Sequence, residues 1–122
     1  MRYNPSLGPL ELRIKGCLAE AKKLAVEVRF YDRWQSLQVL YSPGHLKGKL
    51  ETLAKGKFEI IESIPLPKNM TSGEYFLDID ITQPNIEFYM QMPKHVKLDV
   101  TGVTSITGLE FQKDNCGLLV LG

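Results

Sequence analysis

The sequence predicts an all-β protein, an antiparallel β-sandwich of about nine strands with either jelly-roll or immunoglobulin-like architecture. Three observations predict it. Apolar and polar residues alternate with a period of two from one end of the chain to the other. Turn-forming residues recur between the alternating stretches at the spacing a sandwich requires. Helical periodicity finds room in only two short places.

Leu10, Leu12 and Ile14 mark the first strand. From Leu24 to Tyr31 the chain places Leu24, Val26, Val28 and Phe30 on one face and Ala25, Glu27, Arg29 and Tyr31 on the other, as a half-buried strand requires. Leu37 to Tyr41 follows after the turn at Asp32-Arg33, and Lys57 to Ile64 after Ser42-Pro43-Gly44. The clearest strand is Tyr75 to Thr82. Tyr75, Leu77, Ile79 and Ile81 share one of its faces, and Phe76, Asp78, Asp80 and Thr82 the other. Glu87 to Gln91 comes after Gln83-Pro84-Asn85. In His95 to Thr101, Val96, Leu98 and Val100 alternate with Lys97, Asp99 and Thr101. Ile106 to Phe111 and Leu118 to Leu121 complete the count. The two stretches with helical character are Cys17 to Leu24 and Leu46 to Lys55; the second, bracketed by Gly44, Gly48 and Gly56, is read as a loop with a short helix.

Composition fits one domain spanning residues 1–122. The chain is 43% hydrophobic and 24% charged, and a domain of this size buries roughly 60–70% of its unfolded surface without needing metals or disulfides. A net charge of +1 lacks the basic footprint with which nucleic-acid binders displace counterions. No apolar run approaches the roughly 18–20 residues of a membrane-spanning helix, and Met1 to Leu10 lacks the apolar run of a signal peptide. A soluble, cytoplasmic protein is therefore expected. Cys17 and Cys116 stand in no metal or redox spacing, and two reduced, partly buried thiols are expected. Asn69-Met70-Thr71 matches a glycosylation acceptor, which the absence of a signal peptide reduces to chance.

Catalytic signatures are missing from the sequence. There is no phosphate loop and no Gly-x-Ser-x-Gly elbow; His45 and His95 lie far apart, without a ligand pattern around them. The expectation is a protein that is not an enzyme and takes no cofactor or metal. Asp78 and Asp80 are the one acidic pair whose spacing aims both carboxylates from a single face. They could form a solvated polar face, bind calcium, act as a catalytic pair, or accept hydrogen bonds from sugar hydroxyls. Calcium asks for more ligands than two, and hydroxyl recognition is the functional reading that fits best. Phe30 and Tyr75 fall on core faces. Tyr31, on the polar face with Arg29, and Trp34, beyond the strand's end, belong at or outside the core edge, as does one of Phe88 and Tyr89. Flat rings there offer apolar faces on which a sugar stacks, or cap the sandwich. Arg29, Tyr31, Trp34, Asp78 and Asp80 are the candidate polysaccharide-binding residues.

Thr71-Ser-Gly-Glu-Tyr-Phe-Leu-Asp-Ile-Asp-Ile81 and His95-Val-Lys-Leu-Asp-Val-Thr-Gly102 carry a family resemblance. A Gly-x-Tyr turn opening an alternating strand, and a later strand ending in Val-x-Gly, resemble the C-terminal carbohydrate-binding domain of the Wzt-type ATPase of O-antigen polysaccharide ABC transporters. Leu10 to Ile14, Leu24 to Asp32, Leu37 to Tyr41 and Phe58 to Pro67 fit the family's other strands, so the resemblance runs over roughly residues 10–102. It implies a jelly-roll sandwich that dimerises, faces the cytoplasm and binds the finished end of a polysaccharide for export, at the inner membrane when attached to the transporter's ATPase and permease. The family's nucleotide-binding domain would lie N-terminal, and none of it is in this chain. Gly73 and Tyr75 match as structural positions. The tail from Val103 to Gly122 departs from the family pattern and reads as a pair of strands. Two rival functions are an immunoglobulin-like protein-interaction or assembly domain that binds protein through an exposed strand edge, and a small hydrolase or glycan-modifying enzyme using Asp78 and Asp80.

Overall fold

The computed structural model describes the backbone of residues 1–83 and 87–122, and the side chains of these except residues 83 and 87–95. Eight strands are formed among the described residues: β1 (Arg2–Tyr3), β2 (Leu10–Leu18), β3 (Lys22–Tyr31), β4 (Leu37–Tyr41), β5 (Glu51–Leu53), β6 (Gly56–Ile64), β7 (Gly73–Gln83) and β8 (Glu87–Val100). Two short α-helices accompany them, α1 (Pro43–Lys47) and α2 (Lys113–Cys116), with a single 3-10 turn at Pro5–Leu7. The larger sheet runs β1-β8-β7-β3-β4, with β5 also paired to β3. The smaller sheet is β2 and β6, antiparallel from Leu10–Ile64 to Leu18–Gly56. The result is an all-β sandwich, as the alternation predicts.

Alternation becomes burial in the expected way. Val26, Val28 and Phe30 of β3, Tyr75, Leu77, Ile79 and Ile81 of β7, and Leu98 and Val100 of β8 point inward. They meet Leu10, Leu12 and Ile14 of β2 and Ile60 and Ile64 of β6. Removing each large side chain from water contributes about 1.5–3 kcal/mol, and this holds the layers together. The segment 66–72 closes one end. Leu66, Met70 and Thr71 are buried there, and Thr71 is tied to the C-terminal tail by its N–H to the Leu118 carbonyl at 2.8 Å.

The structure departs from the sequence reading at several places, including the additional strands β1 and β5. Glu87 to Gln91 and His95 to Val100 belong to the single strand β8, with Thr101 just beyond its end; its register with β7 steps from Leu77–Val96 to Ile79–Met92. This irregularity spans Pro93, which has no N–H for the ladder. Ile106 to Phe111 and Leu118 to Leu121 are not strands. The tail makes only isolated bridges, Thr104–Glu110, Ser72–Gln112 and Met70–Leu119, around α2; Leu118 packs against the core, while Ile106, Leu109, Leu119 and Leu121 stay exposed. Cys17 to Leu24 is no helix but the end of β2, a turn and the start of β3, since β6 and β5 supply backbone partners to both. Both cysteines are free and exposed rather than partly buried.

Leu46 to Lys55 contains both helix and strand. α1 starts at Pro43, whose fixed φ suits a first turn. It ends at Gly48, which adopts the left-handed conformation (φ 69°) and donates its N–H to the Gly44 carbonyl. Gly44 lets α1 lie close on β3, since a Cβ there would stand 2.9 Å from that of Ala25. That contact also buries Ala25, on the face of β3 otherwise occupied by polar residues.

Candidate functional site

The outward face of the larger sheet presents Glu27, Arg29 and Tyr31 from β3 beside Phe76, Asp78, Asp80 and Thr82 from β7. Register sets Glu27 opposite Asp80, Arg29 opposite Asp78 and Tyr31 opposite Phe76. The guanidinium of Arg29 reaches along this face to donate from Nη1 to Asp80 Oδ2 at 2.8 Å, and its Nη2 pairs with Glu27 Oε1. Glu27 Oε2 accepts from the Ser42 hydroxyl at 3.1 Å and lies 3.7 Å from His45 Nε2. Asp80 is buried, only 7% exposed. Burial raises its pKa, Arg29 opposes the rise, and the charges of Asp78 and Glu27 add to it.

Beside this cluster opens a groove of about 490 Å³ lined by Glu27, Arg29, Leu40, Ser42, His45 and Leu46. Its floor is polar and bonded. Its wall is apolar, with Leu40 on β4 and Leu46 on α1 both exposed.

A second, smaller cleft of about 190 Å³ lies at the end of the sandwich, between Arg33, Ser72, Gly73, Glu74, Gln112, Lys113 and Asp114. Lys113 is buried there; its Nζ donates to the Glu74 carbonyl and lies 4.2 Å from the centre of the Tyr75 ring. Desolvation lowers the Lys113 pKa, while Asp32, Asp114 and Glu74 pull it back up. Trp34 stands beyond the end of β3, in a turn that Asp32 Oδ1 organises by accepting the N–H groups of Trp34 (2.8 Å) and Ser36 (2.9 Å). The ring is 70% exposed, with the Arg33 guanidinium 4.9 Å from its centroid, and Arg33 pairs with Asp114 on α2 at 2.7 Å.

The five sequence-predicted residues therefore divide. Arg29, Asp78 and Asp80 come together on one face, and half-buried Tyr31 continues the same row. Trp34 sits apart, at the turn that leads to the second cleft. Phe88, Tyr89 and His95 lie outside the residues whose side chains are described. Neither Tyr31 nor Trp34 is packed in the core. Glu27, Ser42, His45, Leu40 and Leu46 are additions made by the structure. Glu27 shares the alternation of Arg29 and was legible from it, whereas Ser42, His45 and Leu46 reach the groove only through the path of α1. Among the described residues no group of three or more His, Cys, Asp or Glu side chains is placed to hold a metal ion, and no helix is long and apolar enough to cross a membrane.

No family model matches the chain, and no curated protein does. Among solved structures it is similar to the crystal structure of the C-terminal domain of Wzt, with a TM-score of 0.64 at 13% sequence identity. The superposition covers 91% of this chain and 65% of that one, so the chain spans a little under two thirds of the length of the structure it matches. With its two-layer core and its open, polar outer sheet face, the chain has the β-sandwich fold of the Wzt C-terminal domain.

Proposed function

We propose that this chain is a non-catalytic carbohydrate-binding domain that holds a cell-surface polysaccharide of the O-antigen type on the outer face of its larger sheet and selects it for export by an ABC transporter. The observation that carries the reading is the likeness to the Wzt C-terminal domain over 91% of the chain. The groove and the row of side chains beside it supply the chemistry. Glu27 and Asp80 keep oxygen lone pairs beyond those used by Arg29 and Ser42, and sugar hydroxyls donate to such oxygens. Leu40, Leu46 and the Tyr31 ring offer apolar surface to the C–H faces of the pyranose. The charge of Arg29 is engaged by two carboxylates, so the groove suits uncharged hydroxyls better than an anionic group. On this reading the domain works in the cytoplasm as a homodimer beside the transporter's ATPase and permease.

An NMR titration of the isotope-labelled chain with polysaccharide from its own source organism tests this. Shifts are expected at amides of Glu27 to Tyr31, Ser42 to Leu46 and Asp78 to Asp80. Arg29→Ala should weaken binding about 10-fold or more, the worth of one charge-assisted hydrogen bond. Absence of any shift at millimolar sugar, or release of new reducing ends from the glycan, would overturn the reading.

A further inference from the structure

Glu62 lies outside the groove, on the other sheet. It is on the inward face of β6, between Ile60 and Ile64 and opposite Leu12, with 1% of its surface exposed. A carboxylate in an apolar layer is costly unless donors meet it. Two donors do. The Tyr41 hydroxyl donates to Glu62 Oε2 at 2.6 Å, and the Lys49 ammonium reaches the same oxygen at 3.4 Å. Lys49 also stands 3.7 Å from Glu51 Oε1.

Tyr41 and Lys49 come from the two ends of one short segment. Tyr41 is the last residue of β4, Lys49 follows the Gly48 cap, and between them lies α1. A helix of five residues has no stability of its own, so its position is set by what holds its ends. The segment carries Ser42, His45 and Leu46, three of the six residues lining the groove. Its own backbone bonds are Leu46 N–H to the Ser42 carbonyl (2.9 Å), Gly48 N–H to Gly44 (3.0 Å) and Lys49 N–H to Pro43 (3.1 Å).

We propose that Glu62 is a positioning residue for the groove, its carboxylate gripping both ends of the segment 41–49 and so setting where Ser42, His45 and Leu46 stand against Glu27 and Arg29. The proposal rests on the groove being the ligand site. Glu62 touches no ligand and acts from the opposite layer through Tyr41 and Lys49.

Amide hydrogen exchange on the whole labelled chain tests it, with Tyr41→Phe and Lys49→Met each removing one donor and Glu62→Gln removing the charge. The loss of a charge-assisted bond predicts exchange about 10-fold faster at the Leu46, Gly48 and Lys49 amides, with amides of the β3–β7 ladder keeping their protection. Polysaccharide affinity should fall in the same variants. Unchanged exchange at those three amides, or an acceleration shared equally by the β3–β7 ladder, would overturn the proposal. Tyr41→Phe and Lys49→Met change half-buried and exposed residues, so they decide the matter even where Glu62→Gln does not fold. Exchange needs no ligand: a wild-type chain that ignores polysaccharide defeats the glycan reading, while the grip of Glu62 on α1 is judged by exchange alone.

Discussion

At the scale of single residues, Arg29 joins the most chemistry. Its side chain is one third exposed, yet it serves two carboxylates of which Asp80 is almost wholly out of water. Replacing it by Met would keep the apolar stem and leave both acids without their strongest donor. Because an orphaned, buried hydrogen-bonding group costs about 1–3 kcal/mol, Arg29→Met should lower the unfolding free energy by about that much in urea titrations. Asp80→Asn in the same chain should recover part of the loss, since the two residues share one interaction and their effects do not add. Equal and additive losses would show that the pair is not coupled.

At the scale of elements, the join between β8 and the segment 66–72 depends on a glycine. Gly102 follows the end of β8, donates its N–H to Ser72 Oγ at 2.8 Å, and precedes Val103, whose N–H bonds the Met70 carbonyl at 2.9 Å. A Cβ at Gly102 would fall 2.1 Å from the Met70 oxygen and 2.6 Å from the Thr71 carbonyl carbon, backbone atoms that cannot turn aside. Gly16 offers a contrast. There a Cβ would meet the tip of the Phe58 ring at 2.5 Å, and a partly exposed side chain can swing away. Gly102→Ala is therefore expected to cost about 1–3 kcal/mol by overpacking, and Gly16→Ala distinctly less. Melting temperatures of the two variants check the order.

For the whole molecule, the pH dependence of stability follows from acids that folding protonates more readily than the unfolded chain does. Burial, and then the hydrogen bond with Glu62, raise the pKa of Glu51 above its ordinary 4.5. The folded state then binds more protons than the unfolded one between 4.5 and the raised value, so stability falls as the pH climbs through that window. Asp80 acts in the same direction from 3.8 upward. Denaturant midpoints taken across mildly acidic pH should drift downward as pH rises, and Glu51→Gln should flatten the drift. A variant that keeps the full slope would show that Glu51 is not its source.

The sequence by itself determined the fold class, the inward faces of Leu24 to Tyr31 and Tyr75 to Thr82, and three members of the polar cluster. Alternation is a local property and burial follows it, which is why Leu24 to Tyr31 and Tyr75 to Thr82 were legible in full. It also determined that Arg29, Asp78 and Asp80 face outward, because residues two apart on a strand share a side. Only the tertiary structure decided that β3 and β7 are neighbours in a register that brings Arg29 to Asp80. Nothing local separated the tail's short apolar runs, Ile106 to Phe111 and Leu118 to Leu121, from strands; they lack a ladder partner, and pairing is non-local. Trp34 parted from the groove for a similar reason, since the turn built on Asp32 carries it past the end of the sheet. The groove wall was hidden for the same reason. α1 is placed by a buried carboxylate that stands opposite Leu12 on another sheet, and no pattern within the segment Ser42 to Lys49 points to it.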